Sequence, residues 1–211
     1  MYATHKAGGC LAALIGFEVM QKQGLLIPDL EPWIQLILMY PATSFGSTFP
    51  DLDHHWGSVK EHTPTNFFVH KLLHLTQPKH RSWQTHSLLI TGGFCVLMFS
   101  LIYAIQKLQL QWVSPLGLSL ITLLLIGLNL GIASHLVLDL FTTAGIWLVP
   151  GVKLRLVPKS TTFSTDTTYE RIVRVILYIA CALMLVWVIN PFDLQGVLNE
   201  LVTGGGTVAP Q

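Results

Sequence analysis

From Pro115 to Leu140 the chain reads PLGLSLITLLLIGLNLGIASHLVLDL, an apolar run interrupted by Asn129, Ser134, His135 and Asp139. A bilayer core of about 30 Å takes roughly 20 apolar residues as helix, so this segment is long enough to cross a membrane. His135 and Asp139 stand at i, i+4, which puts both side chains on one helix face, one turn apart. That spacing lets one helix offer two ligands to a single metal centre.

The rest of the chain agrees with a membrane reading. Its 211 residues are 51% hydrophobic and 11% charged, with mean hydropathy +0.55. A soluble domain carries about 25% charged residues, so a disordered chain, a coiled coil and a typical soluble enzyme are excluded. With 12 basic and 11 acidic residues the net charge is +1, and no basic field marks a nucleic-acid partner. Nine histidines beside 11 acids is the anomaly, because membrane proteins spend few titratable side chains without a use. Cys10, Cys95 and Cys181 each sit alone in apolar sequence. With no CxxC spacing and no even count, they are expected to pack as small apolar residues. Met1 to Gly9 lacks a signal-peptide pattern, so nothing is expected to be removed there.

Further spans follow on either side. Ser87 to Ile105 and Ile172 to Ile189 are nearly continuous apolar runs, the second stopped by Asn190 and Pro191. Trp33 to Phe49 begins apolar and turns small and polar. Gly8 to Ile27 carries Glu18, Lys22 and Gly24, and its small residues suit close helix packing. The expected fold is therefore all-α: a polytopic membrane bundle of about five transmembrane helices. Two long loops, Asp51 to Thr85 and Thr142 to Glu170, connect them, with a short amphipathic helix expected at Thr65 to Leu75. Residues 1–190 form one membrane-embedded domain, and residues 191–211 read as a flexible tail.

Threading five spans through a membrane gathers the polar residues on one face. His5 precedes the first helix; Asp51, Asp53, His54 and His55 leave the second. His80, Arg81 and His86 enter the third, and His135 and Asp139 end the fourth. Ten of the 12 basic residues fall on that same face, and only Lys22 and Lys107 on the other. By the positive-inside rule the cluster faces the cytoplasm.

The candidate metal ligands are His5, Asp51, Asp53, His54, His80, His86, His135 and Asp139. Five imidazoles and three carboxylates exceed the needs of one zinc and suit a binuclear centre with a bridging carboxylate. Each motif has a plainer reading when taken alone. A histidine at a helix end is usually interfacial, Asp-x-Asp is common in loops, and His-x-x-x-Asp can be a buried polar pair. Their convergence from four segments favours the metal. His62, His70 and His74 are read as solvated loop residues.

Three strings carry a family resemblance: Phe49-Pro-Asp-Leu-Asp-His54, His80-Arg-Ser-Trp-Gln-Thr-His-Ser87 and Ser134-His-Leu-Val-Leu-Asp-Leu-Phe-Thr-Thr-Ala-Gly145. With the early His5 they resemble the YdjM-type family of bacterial membrane-bound metal-dependent hydrolases, more remotely similar to the zinc phospholipase C and P1 nuclease group. The resemblance implies a hydrolase of the bacterial cell membrane holding two divalent ions, zinc first and manganese as the alternative. Its substrate class would be a phosphoester, lipid-like because the site lies flush with the bilayer, so membrane lipids are the expected partners. Asp53 and His86 are placed in the catalytic set. Arg81, forked and always charged, is the candidate for a phosphate oxygen, and Thr85, Ser87 and Thr142 would orient ligands or cap helices. The rival reading is a metal transporter or a regulatory metal-binding membrane protein without hydrolase activity. Transporters usually hold ligands near the bilayer midplane between repeats, and here the ligands lie at one edge with no repeat visible.

Overall fold

The computed structural model describes residues 1–28, 30–53, 83–108, 114–158, 162 and 167–189. In chain order these form α1 (Tyr2–Lys22), α2 (Pro32–Gly46), a 3-10 turn (Phe49–Asp53), α3 (Leu88–Leu108) and α4 (Pro115–Asp139). A small antiparallel hairpin of β1 (Ile146–Val149) and β2 (Val152–Leu154) follows, then α5 (Thr168–Ile189). The amphipathic helix expected at Thr65 to Leu75 and the tail at residues 191–211 lie outside the described residues.

Three of the described helices, α3, α4 and α5 through Val188, are long and apolar enough to cross a membrane. The 21 residues of α3 make about 31 Å of helix. The first two helices fall short of that standard. α2 has 15 residues, about 22 Å, and α1 mixes Lys6, Glu18 and Lys22 into its apolar run.

The start of α1 corrects the sequence reading, which put His5 ahead of a helix beginning at Gly8. The helix already runs from Tyr2. Its first turn is held by a tertiary anchor: the Thr4 hydroxyl donates to Glu170 of α5 at 2.7 Å, and the Met1 ammonium lies 3.0 Å from the same carboxylate. The second correction is the hairpin inside the expected loop from Thr142 to Glu170. Ile146-Trp-Leu-Val149 is rich in strand-forming types, and Pro150-Gly151 turns the chain, with Gly151 at φ +88°.

Small residues set the packing. A Cβ on Gly131 of α4 would strike the Thr43 carbonyl oxygen of α2, and one on Gly46 of α2 would strike the Leu128 carbonyl oxygen of α4. The two backbones are thus in direct contact, as expected where lipid removes the hydrophobic drive between helices. α1 lies across both, with Gly9 against Ser47 and Gly16 against Leu130. Ala13, Phe17, Met20, Met39 and Leu123 fill the space between the three helices. α3 and α5 flank this core with apolar side chains turned outward, including Val96, Leu97, Ile176 and Leu183, each more than half exposed. In a membrane that outward surface is the lipid-facing one.

Candidate metal centre

At one end of the bundle the first turns of α1, the 3-10 turn after α2, the entry to α3 and the last turns of α4 meet. His5, Asp51, His86, His135 and Asp139 converge there. The side chains of His5, His86, His135 and Asp139 are fully buried, and that of Asp51 is 18% exposed.

The distances among them have a particular length. His86 Nε2 lies 3.5 Å from both Asp51 Oδ1 and Asp139 Oδ2. His135 Nε2 lies 3.5 Å from Asp139 Oδ2 and 3.8 Å from Asp51 Oδ1, and His5 Nε2 lies 3.6 Å from Asp139 Oδ1. Charge-assisted hydrogen bonds between such groups run about 2.7–2.9 Å. By contrast, ligands about 2.0–2.1 Å from a tetrahedral zinc stand about 3.3–3.4 Å from one another. The observed spacing is near that ligand-to-ligand edge. His135 Nε2 is buried without a hydrogen bond, an arrangement that costs energy unless something else engages the lone pair. The residues therefore fit a divalent metal.

Two groups with ligand atoms mutually within 4.8 Å can be drawn, His5–Asp51–His135 and His86–His135–Asp139. They share His135, which has one nitrogen to give. Its Nδ1 is 2.7 Å from the Ser47 carbonyl oxygen. A carbonyl only accepts, so Nδ1 carries the proton and Nε2 faces the centre. The described side chains thus make one cluster of three imidazoles and two carboxylates.

Each ligand is held by its own local structure. The i, i+4 pair of α4 rides on the glycine contact with α2, which also presents the Ser47 carbonyl. The His5 ring stacks on the His135 ring, centroids 3.8 Å apart and 16° from parallel. The Thr85 hydroxyl is 2.9 Å from His86 Nδ1. The hairpin holds the backbone at this point: the Trp147 N–H donates to the His86 carbonyl at 2.8 Å, and the Ser87 hydroxyl reaches the Leu148 carbonyl oxygen at 3.5 Å. Thr142 donates to the Asp139 carbonyl at 2.9 Å and finishes α4. Burial works against the charge of Asp51, but the facing His86, His135 and His5 rings hold its carboxyl well below the usual carboxylate range.

Of the expected site residues, the structure brings together His5, Asp51, His86, His135 and Asp139, with Thr85 behind His86. Asp53 ends the 3-10 turn, and its side chain lies outside the described residues, as do His54, His80 and Arg81. Sequence reasoning missed Ser47, Trp147 and Glu170. Ser47 and Trp147 act here through backbone groups, which carry no residue signature. Glu170 stood at the end of an expected loop, whereas the structure puts it in the first turn of α5.

The YdjM inner membrane protein family matches residues 1–195, a span that takes in every ligand candidate. The chain belongs to this family. No curated protein and no solved structure matches it, and the more remote likeness to zinc phospholipase C and P1 nuclease is not shown. In this YdjM-family protein the three apolar helices and the family agree on a membrane location.

Proposed function

We propose that this YdjM-family protein is a membrane-bound metal-dependent hydrolase that cleaves a phosphoester of a lipid-like substrate at the cytoplasmic edge of the membrane. The observation that carries the reading is the spacing of three imidazoles and two carboxylates, too long for hydrogen bonds and close to a ligand-to-ligand edge. The proposed occupants are two divalent ions, zinc first; Asp53, His54 and His80 are the ligands proposed to complete a second position.

A divalent metal held there supplies Lewis acidity and lowers the pKa of a water from about 15.7 toward about 7. Asp51 and Asp139 provide the charge that retains the ion, and His5, His86 and His135 fix its place. Access runs past Asp51, the one described ligand with solvent exposure. Arg81 is proposed to hold a phosphate oxygen through its forked guanidinium. The five-span reading, with α1 and the shorter α2 as additional spans, supports a substrate whose chains stay in the bilayer.

Elemental analysis of protein purified without chelator, paired with release of product from labelled phospholipids and other phosphoesters, tests the proposal. About two ions per chain and turnover are expected. Metal without turnover on any phosphoester sinks the hydrolase reading and favours a transporter or regulatory protein. A stoichiometry near zero after metal-supplemented purification removes the site. Orientation is tested separately by cysteine labelling at Ser58 and Thr207 in a background lacking the native cysteines. Reaction from opposite sides of the membrane is expected, with Ser58 on the cytoplasmic side. Labelling of both from one side refutes the five-span tracing.

A further inference from the structure

α1 and α5 meet along small residues on the far side of α1 from the metal ligands. Ala7 and Cys10 of α1 stand three residues apart, on the face that meets α5, and the Cys181 thiol donates to the Ala7 carbonyl oxygen at 3.5 Å. Cys10 and Cys181 are both free thiols. Cys181 is buried and Cys10 is partly so. Both line a cavity of about 480 Å³, together with Leu14, Leu36, Ile37, Tyr40 and Leu185 among others. Ile37, Tyr40 and Leu185 are exposed on its rim, so the cavity opens toward the apolar surroundings of the bundle. Its volume is in the range that holds small organic ligands, and an apolar wall admits an apolar molecule in preference to a charged one.

We propose that Cys10 and Cys181 are a redox-active dithiol that closes to a reversible disulfide, with a membrane-soluble quinone entering the cavity as oxidant. Two S–H bonds break and one S–S bond forms. The two electrons and two protons pass to the carbonyl oxygens of the quinone, leaving a quinol; a dithiol reductant reverses the exchange. The Cys181 thiol sits against the Ala7 carbonyl, within one turn of Cys10, so side-chain rotation is the movement the bond calls for. The bond would tie α1, five residues beyond His5, to α5. The same two helices are already joined one end away by Thr4 and Glu170. Cys95 takes no part, because its thiol donates to Asn129 Oδ1 on the seam between α3 and α4.

The full chain in lipid nanodiscs is treated with duroquinone or, as a check on geometry, with the diazene oxidant diamide. It is then denatured, alkylated with N-ethylmaleimide and weighed intact. Untreated protein should take three alkyl groups, one for each cysteine. After either oxidant the wild type should take one, with a Cys10–Cys181 linked peptide in the digest, and dithiothreitol should restore three. Cys10→Ala and Cys181→Ala should each take two groups with or without oxidant. Three alkyl groups after both oxidants overturn the proposal, as does linkage through Cys95. Linkage by diamide but not by duroquinone also overturns it, because the cavity would then serve no quinone.

Discussion

α1 and α3 are the same length, 21 residues each, and opposite in character. α3 is apolar almost throughout, yet of its described side chains only Ile102 is buried. α1 carries Thr4, His5, Lys6, Glu18 and Lys22, yet buries Thr4, His5, Ala7, Gly8, Gly9, Ala13, Leu14, Gly16, Phe17 and Met20. In a soluble protein the more apolar helix would be the inner one. Here lipid is the apolar solvent, so apolarity marks contact with lipid. Beside the apolar cluster around Phe17 and Met39, the interior holds small residues that let backbones touch and polar side chains that face one another. α1 and α2, the helices that fall short of a membrane span by composition or by length, therefore build the site together with the end of α4. α4 joins the two regimes: Gly127, Gly131, His135 and Asp139 turn inward while Ile121, Leu124 and Val137 face out.

The most damaging way to break this contrast is to remove a polar group from the inner set. His135→Ala and Asp139→Asn should each abolish metal retention and hydrolysis while the protein stays folded in the membrane. The loss should exceed the roughly 100-fold that removal of a supporting residue costs. Metal content and product release, measured on the same preparation, check it. Full metal content in Asp139→Asn would make the pair structural, since an amide is a poor neutral ligand.

A smaller effect is expected from the backbone contact. Gly131→Val forces a branched side chain against the Thr43 carbonyl oxygen and the Ser47 backbone nitrogen. Overpacking of this kind costs about 1–3 kcal/mol and should lower the thermal midpoint. It should also weaken metal binding, because Ser47 holds His135. The smallest effect belongs to the outer helix. A Cβ at Gly92 of α3 meets nothing within 4 Å, so Gly92→Val should leave stability within about 0.5 kcal/mol of the parent and leave metal content unchanged. A large loss at Gly92 would mean that α3 is covered by something other than lipid.

Much of this was legible in the residues. The runs that became α3, α4 and α5 were long enough to announce themselves, and the i, i+4 spacing of His135 and Asp139 named two ligand candidates that the structure places in one buried cluster. The helical start of α1 was not legible, because Tyr2-Ala-Thr-His has no strong local preference and is fixed by Glu170, far along the chain. The hairpin was short, and its pairing depends on the position of His86. Ser47 could not be found at all, since any residue there would present the same carbonyl.

By itself the sequence determined what kind of solvent this chain needs and which side chains are chemically able to hold a metal. Both are properties of residue type and local spacing. Only the tertiary structure decided that His5, Asp51, His86, His135 and Asp139 stand 3.5 to 3.8 Å apart at their facing atoms. That spacing depends on how closely α1, α2 and α4 approach one another. Their approach is set where glycine meets a backbone carbonyl on another helix, a condition of packing between segments that no local pattern contains.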